Sequence, residues 1–322
     1  MHRLLKNPSI TVYSDNFHRL KSKNNCIVVG SCNGLLCLHF HSLTRTPTAV
    51  HLKEWLRFWN PATRTRSKKL GALCYSTASG EDMSIILSYF KFTFGYDAST
   101  RTYKVVTIRR QKNEASWKNV VNVFSLGNNC WRNIESFIVI SSIRLDIQYR
   151  RRLCALSDGV HLSGTVNWLA VYKLITHVEQ FMIVALDLST EKYKRFQLPS
   201  GFNEVPFLQP VLRVLMDCLC FSYDSNKTEF VLWHMKEYGV EESWTQLFKI
   251  SYQNLPMLKT DPGFQLACLY VDGDMVIFAN KFCNRAFIYN LKDRTVERIK
   301  IRNSIHWFTQ AKHYVESLVS VR

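Results

Sequence analysis

The sequence predicts an all-β chain folded as a β-propeller of about five or six four-stranded blades. Three observations carry this reading. Glycine-containing turns alternate with Asx turns along the chain, at positions 33 then 60, 163 then 187, and 272 then 290. One turn of each kind makes a four-stranded unit of roughly 45 to 65 residues, the size of a propeller blade. Apolar residues also recur at fixed offsets behind the Asx turns, with the period of strands. One β-sandwich, or two, built from the same hairpins is the alternative. A ring is favoured because a sandwich lacks a repeated two-hairpin unit, and a ring removes exposed edges.

The glycine turns interrupt short apolar runs: Val29 to Leu38 around Asn33-Gly34, Val160 to Leu169 around Ser163-Gly164, and Leu269 to Ile277 around Asp272-Gly273. Val214 to Phe221 is a relative without glycine. Asn-Gly and Asp-Gly permit the positive φ angles of type I′ hairpins. The Asx turns are Asn60-Pro-Ala-Thr63, Asp97-Ala-Ser-Thr100 and Asp187-Leu-Ser-Thr190, whose first side chain accepts bonds from the amides that follow. Behind Asp97 stand Tyr103, Val106 and Ile108; behind Asp187, Tyr193, Phe196 and Leu198; behind Asn290, Val296, Ile299 and Ile301. A partial copy runs from Ser125 to Trp131 and Ile134. The first offset has opposite parity to the other two, so it points to the other face. Trp168, Trp233 and Trp244 lie in strand-like runs and are expected between blades. The one amphipathic helix candidate is Asn303 to Lys312, and the last strands should close the ring against the N-terminal region.

Composition narrows the partners. The 322 residues carry 42 Lys+Arg against 25 Asp+Glu, a net +17, which favours acidic partners or nucleic acid. The best apolar run, Val211 to Phe221, contains Arg213 and Asp217 and falls short of a membrane helix. The N-terminus lacks the apolar stretch of a signal peptide, and the cysteines sit mostly in apolar runs as buried thiols. A cytoplasmic or nuclear protein is expected.

No catalytic, cofactor or metal site is expected. Gly30-Ser-Cys32-Asn-Gly34 imitates a nucleophile elbow, but an elbow needs a helix behind it and Leu35 to Phe40 reads as strand. His39 and His41 alternate on one strand face without further ligands at matching spacing. Neither G-x-G-x-x-G nor a Walker A sequence occurs.

The motifs Ser31-Cys-Asn-Gly-Leu-Leu-Cys37, Trp59-Asn-Pro-Ala-Thr63 and Phe94-Gly-Tyr-Asp97 resemble the plant F-box-associated interaction domain of F-box/kelch-repeat-type proteins. Tyr103 to Val106, Gly164 to Leu169, Val184 to Asp187, and Trp233 to Val240 with Glu242 to Thr245 follow in that family's order, and Tyr314 to Val319 is similar to its C-terminus. The resemblance implies a kelch-like propeller that serves as substrate receptor of Skp–cullin–F-box ubiquitin ligases, without enzymatic activity. It also implies a division into residues 1–25, a linker remnant without the F-box, and residues 26–322, the domain itself. Met1 to Asn25 lacks the leucine-proline start and cysteine-lysine-tryptophan end of an F-box. Binding of the Skp adaptor is therefore expected only with an F-box upstream.

Basic residues cluster at Arg64 to Lys69, at Arg109, Arg110 and Lys112, and at Arg150, Arg151 and Arg152. Such clusters form solvated faces and protect strand edges. They also read as patches that capture and steer an acidic protein substrate, with Arg109, Arg110, Lys112, Arg150, Arg151 and Arg152 as the candidate contact residues. The alternative is a basic nucleic-acid-binding propeller unconnected with ubiquitin. It is less favoured because the aromatics fall at core positions rather than on an exposed platform.

Overall fold

The structure, a computed structural model, describes residues 2–3, 11–14, 26–78, 90–112, 117–136, 159–171, 177–206, 210–255, 266–280, 286–301 and 314–320. The first two strands are short, β1 (His2–Arg3) and β2 (Thr11–Ser14). Blade 1 follows, with β3 (Cys26–Cys32), β4 (Leu35–Arg45), β5 (Ala49–Asn60), β6 (Thr65–Arg66) and β7 (Leu70–Ala78). Blade 2 holds β8 (Phe90–Asp97), β9 (Thr102–Lys112), β10 (Trp117–Ser125) and β11 (Cys130–Ile134). Blade 3 holds β12 (Val160–Leu162), β13 (Thr165–Val171), β14 (Phe181–Asp187) and β15 (Tyr193–Phe196). Blade 4 holds β16 (Val211–Leu215), β17 (Cys218–Ser225), β18 (Glu229–Met235) and β19 (Trp244–Ser251). Blade 5 holds β20 (Leu266–Asp272), β21 (Met275–Asn280), β22 (Ala286–Asn290) and β23 (Val296–Arg298), and β24 (Lys300–Ile301) comes last.

Each blade is an antiparallel meander of four strands in which neighbours in sequence are neighbours in the sheet, except that β7 of blade 1 pairs with β5 and not with β6. First strands follow one another round an axis: β3 beside β8, β8 beside β12, β12 beside β16, and β16 beside β20. This is a β-propeller with five four-stranded blades, blade 1 carrying β7 as an extra strand. A three-stranded sheet joins the two chain ends, because β2 pairs with β1 and, in parallel, with β24.

The core is divided among the blade contacts, as alternating side-chain direction requires. Tyr103 and Val105 pack with Leu35, Cys37, Phe58 and Phe94 between blades 1 and 2. Val106 and Ile108, of opposite parity to Tyr103, pack with Val166, Trp168 and Leu186 between blades 2 and 3. Phe181, Phe202, Phe221 and Trp244 fill the next contact, and Phe230, Phe248, Phe278 and Phe287 the one after. Full burial of such side chains stabilises by roughly 1.5 to 3 kcal/mol each. Trp168 and Trp244 are buried, whereas Trp233 is half-buried, its ring lying against Gly201.

The turns follow their residue types. Asp187 accepts from the amides of Ser189 and Thr190, each at 2.8 Å, and Asn290 from those of Lys292 and Asp293 at 2.9 and 3.0 Å. Asn33 and Gly34 both have positive φ, 46° and 80°, as do Ser163 and Gly164. Two details depart from the simple alternation. The Asp97 turn joins the first two strands of blade 2, not the last two. In blade 5, Asp272 pairs with Met275, so the turn residues are Gly273 and Asp274 and glycine takes the first position. Among the described residues the only helical segments are three-residue 3-10 turns at Val178–Gln180, Glu241–Ser243 and Tyr252–Asn254. The helix candidate from Asn303 to Lys312 lies outside the described residues.

Candidate functional site

Blade 1 has the longest central hairpin, followed by that of blade 2. β4 and β5 run for 11 and 12 residues, about twice the usual strand. The inner end of β5 pairs with β6 at Trp59 and Asn60, and the outer part pairs with β7 from Ala49 to Leu56. Side chains of β5 therefore divide between two faces. Val50, Leu52, Glu54 and Leu56 are buried toward blade 2, with Tyr75 and Phe92 packing on Val50 and Leu52. His51, Lys53, Trp55, Arg57 and Trp59 point the other way.

On that second face the rings of Phe40 and Trp55 stack across the strands, 5.8 Å apart and nearly parallel. Both are buried, yet two cations cap them: Lys69 Nζ lies 4.3 Å from the Trp55 centroid, and the Arg66 guanidinium 5.6 Å from that of Phe40. Arg57 is half-buried beside them and donates to the Ser67 carbonyl at 3.5 Å. Burial, and then the Arg57 charge, draw the Arg66 pKa below its ordinary value.

Charge on this face is one-sided. Residues 26–78 contain Arg45, Lys53, Arg57, Arg64, Arg66, Lys68 and Lys69, and one acid, Glu54. Glu54 is buried on the opposite face, where Oε1 stands 3.0 Å from His39 Nε2. Residues 159–301, which include blades 3 to 5, hold 15 basic and 15 acidic residues. The 64–69 cluster was visible as a run. Lys53 and Arg57 were not singled out, and counting charge in windows would have revealed the asymmetry that includes them.

Of the other predicted contact residues, Arg109 is half-buried in β9 and points toward blade 1, its guanidinium 4.6 Å from the Tyr75 ring centroid. It shares parity with Val105, which faces that blade. Burial pushes the Tyr75 hydroxyl up to about 12 against the opposing pull of Arg109. Arg110 and Lys112 pair through β9 with Asn119 and Trp117, but their side chains lie outside the described residues, as do Arg150, Arg151 and Arg152 entirely. The structure thus brings Arg109 to blade 1, but to the face opposite the one on which Arg66 and Lys69 lie.

The residues that imitate chemistry have other surroundings. Cys32 ends β3 and the chain turns straight back into β4, so no helix follows it. Burial pushes its thiol up to about 12, far from a thiolate at neutral pH. His39 pairs with Glu54 and stacks on Phe92 at 4.2 Å; burial and then His39 lower the pKa of His41, against the pull of Glu54. Among the described residues no group of three or more His, Cys, Asp or Glu is placed to hold a metal ion.

A cleft of about 310 Å³ lies between blades 3 and 4, lined by Thr165, Asp187, Lys194, Phe196 and Tyr238 among others. The Tyr238 hydroxyl bonds Thr165 Oγ1 at 2.6 Å and Asn167 Oδ1 at 2.7 Å. Nearby, Glu241 accepts from the Gln197 amide and Trp244 Nε1 donates to the Gln197 carbonyl. The Trp233 to Thr245 stretch thus pins blade 4 to blade 3.

Comparison with known proteins agrees with this architecture. Residues 3–321 match the family model described as F-box associated beta propeller domain. The match includes most of the first 25 residues, where β1 and β2 lie. An F-box/kelch-repeat protein of Arabidopsis thaliana is 25% identical over 98% of this chain and 75% of its own length. The F-box protein CPR1 of Arabidopsis thaliana is 31% identical over 75% of this chain and 56% of its own length. Among solved structures, an Aleuria aurantia lectin has a TM-score of 0.45 at 10% identity, over 84% of this chain and 77% of that one.

Proposed function

Because the chain belongs to the F-box associated beta-propeller domain family, we propose that it is a non-enzymatic protein-interaction module that holds a protein substrate for a Skp–cullin–F-box ubiquitin ligase. The observation that carries this is the family match over nearly the whole chain, and the open basic face of blade 1 supports it. Arg109, Arg110, Lys112, Arg150, Arg151 and Arg152 would extend the positive field that steers the substrate inward. Recruitment of the Skp adaptor is assigned to an F-box, so residues 26–322 bind substrate and not adaptor. The implied compartment is the cytoplasm or the nucleus. Among the described residues no helix is long and apolar enough to cross a membrane.

The second reading, a basic nucleic-acid-binding propeller, is favoured by the net charge of +17 alone. An interaction screen with the purified chain, nuclease-treated and washed at low and raised salt, separates the two. A protein retained at raised salt, and ubiquitinated once an F-box is fused ahead of the chain, supports the receptor reading. Retention of nucleic acid alone, lost steeply with salt through counterion release, supports the second. A stoichiometric complex of the unfused chain with the adaptor would overturn the division of labour.

A further inference from the structure

Within the described residues the basic face of blade 1 has no balancing acidic side chains. Among the described residues no acidic side chain pairs with Lys53, Arg57, Arg66 or Lys69. Elsewhere, cations find carboxylates. Lys104 sits 2.8 Å from Asp97, Arg132 makes a two-point contact with Glu191, and Lys249 lies 2.6 Å from Glu229. The blade 1 cations are also partly ordered in advance. Lys69 and Arg66 rest on a buried Trp55–Phe40 stack, and Arg57 is held by Ser67. Ordering side chains before binding lowers the entropic cost of association.

We infer that this face of blade 1, from Lys53 past Lys69 to Arg57 and Arg66, is a docking surface for an extended Asp/Glu-rich segment of a partner protein. The inference rests on the receptor reading above and adds the chemistry of the segment and its place. Lys53 and Arg57 are four residues apart on β5, roughly 13 Å along the strand. Lys69 sits over Trp55, midway between them. Alternate acidic side chains of an extended segment, roughly 7 Å apart, match that spacing. Bringing carboxylates against Arg57 and Arg66 relieves the mutual repulsion of two neighbouring cations, and guanidinium groups receive carboxylates through paired hydrogen bonds. Nucleic acid fits less well. Stacking of bases needs exposed rings, and Trp55 and Phe40 are buried beneath the cations that cap them.

The test measures fluorescence anisotropy of a labelled polyglutamate peptide with the full chain, against a polyglutamine peptide and labelled oligothymidine. The expected result is saturable binding of polyglutamate, no binding of polyglutamine, and a loss of at least about tenfold in affinity for the Arg57→Gln, Arg66→Gln, Lys69→Gln triple variant. Should the triple variant fail to fold, Lys53→Glu and Lys69→Glu, both at exposed positions, keep the question open to measurement. Lys292→Glu, exposed on blade 5, should bind as the unaltered chain does. Equal affinity of the blade 1 variants and the unaltered chain would overturn the inference. So would absence of polyglutamate binding by a chain that still captures a protein substrate, which leaves the receptor reading standing. Preference for oligothymidine over polyglutamate would overturn both.

Discussion

Asn60, buried in blade 1, holds the main chain of Ser317 from the far end of the sequence. Its side-chain amide donates to the carbonyls of Ser317 and Val319 at 2.9 and 2.7 Å, while Oδ1 accepts from the amides of Ala62 and Thr63. One side chain therefore builds an Asx turn and anchors residues 257 positions away. Ser317 Oγ donates to the Asn33 carbonyl at 2.9 Å, so two of the turns of blade 1 grip the tail. Tyr314 and Val319 pack against the two apolar faces of the same blade.

Asn60→Ala should cost about 2 to 3 kcal/mol, since it removes a buried side chain together with its four hydrogen bonds. Asn60→Asp keeps the turn acceptor but loses both donors, and should be nearly as harmful. Urea denaturation reads the cost, and limited proteolysis reads release of residues 314–320. A loss below about 0.5 kcal/mol in both variants would show the tail to be incidental to stability.

Gly95→Ala should destabilise by about 1 to 3 kcal/mol through overpacking at the axis. A methyl group there would stand 2.4 Å from His161 Cδ2 and 2.9 Å from Leu188 Cδ1. The same substitution at Gly164 meets nothing within 4 Å, so its cost comes from its φ of +73° alone. Calorimetric melting of the two variants distinguishes a clash from backbone strain, because only the first is relieved by shortening His161 to Ala.

Stability should fall on acidification in two stages. His161 is half-buried with Nε2 at 3.2 Å from the Tyr96 main chain, and its partial burial lowers its pKa although the Tyr96 bond opposes this. The folded value lies below the unfolded one of about 6.5, so the stabilisation is complete above that pH and fades as pH falls through the folded value. For Asp97, burial alone would raise the pKa. The bonds from Lys104, Ser99 and Thr100, with the Lys104 charge, outweigh burial and hold the carboxyl well below its usual range. Its contribution is present above about pH 4 and lost below it. His161→Gln should shrink the first stage, to which His41 and His234 also contribute because burial lowers their pKa too, and leave the second, as read by urea midpoints across pH; an unchanged profile would refute the assignment.

The turn between β16 and β17 offers a gain. Met216 and Asp217 adopt φ of 52° and 56° without a glycine, and Met216 is 43% exposed. Replacing the pair by Asn-Gly supplies the residues that a type I′ turn prefers, for an expected gain of about 0.5 to 1 kcal/mol in denaturant unfolding. A loss instead would mean that Met216 packs more than its exposure suggests.

Much of the fold was legible because it is written in local signals. Asn33-Gly34 and Asp187 declare their turns by residue type, and Tyr103 against Val106 declares two faces by parity. What a turn signal lacks is its ordinal place, which is why Asp97 joins strands 1 and 2 of its blade although Asn60, Asp187 and Asn290 join strands 3 and 4. Trp233 shows a second limit. Its run has the same period as that of Trp168, but depth of burial depends on the neighbouring blade, and Trp233 packs at the edge of its cluster against Gly201 and stays half-buried. The interaction surface was legible in part. Arg64 to Lys69 is contiguous, whereas Lys53 and Arg57 join it only through the pairing of β5 with β6 and β7, and Arg109 turns toward Tyr75 for reasons of strand parity.

The grip of Asn60 on the tail also sets an order of events in time. Hairpin contacts within a blade span few residues and can form quickly, whereas the Asn60–Ser317 contact must close a loop of 257 residues, an entropic cost of about 5 kcal/mol. Closure should therefore follow blade formation, and its bonds should be absent from the folding transition state. Interactions of that kind govern how fast a protein comes apart, with little influence on how fast it folds. The tail would then act as a catch on the lifetime of the ring, and weakening it should shorten residence in the folded state while refolding proceeds at nearly its original rate.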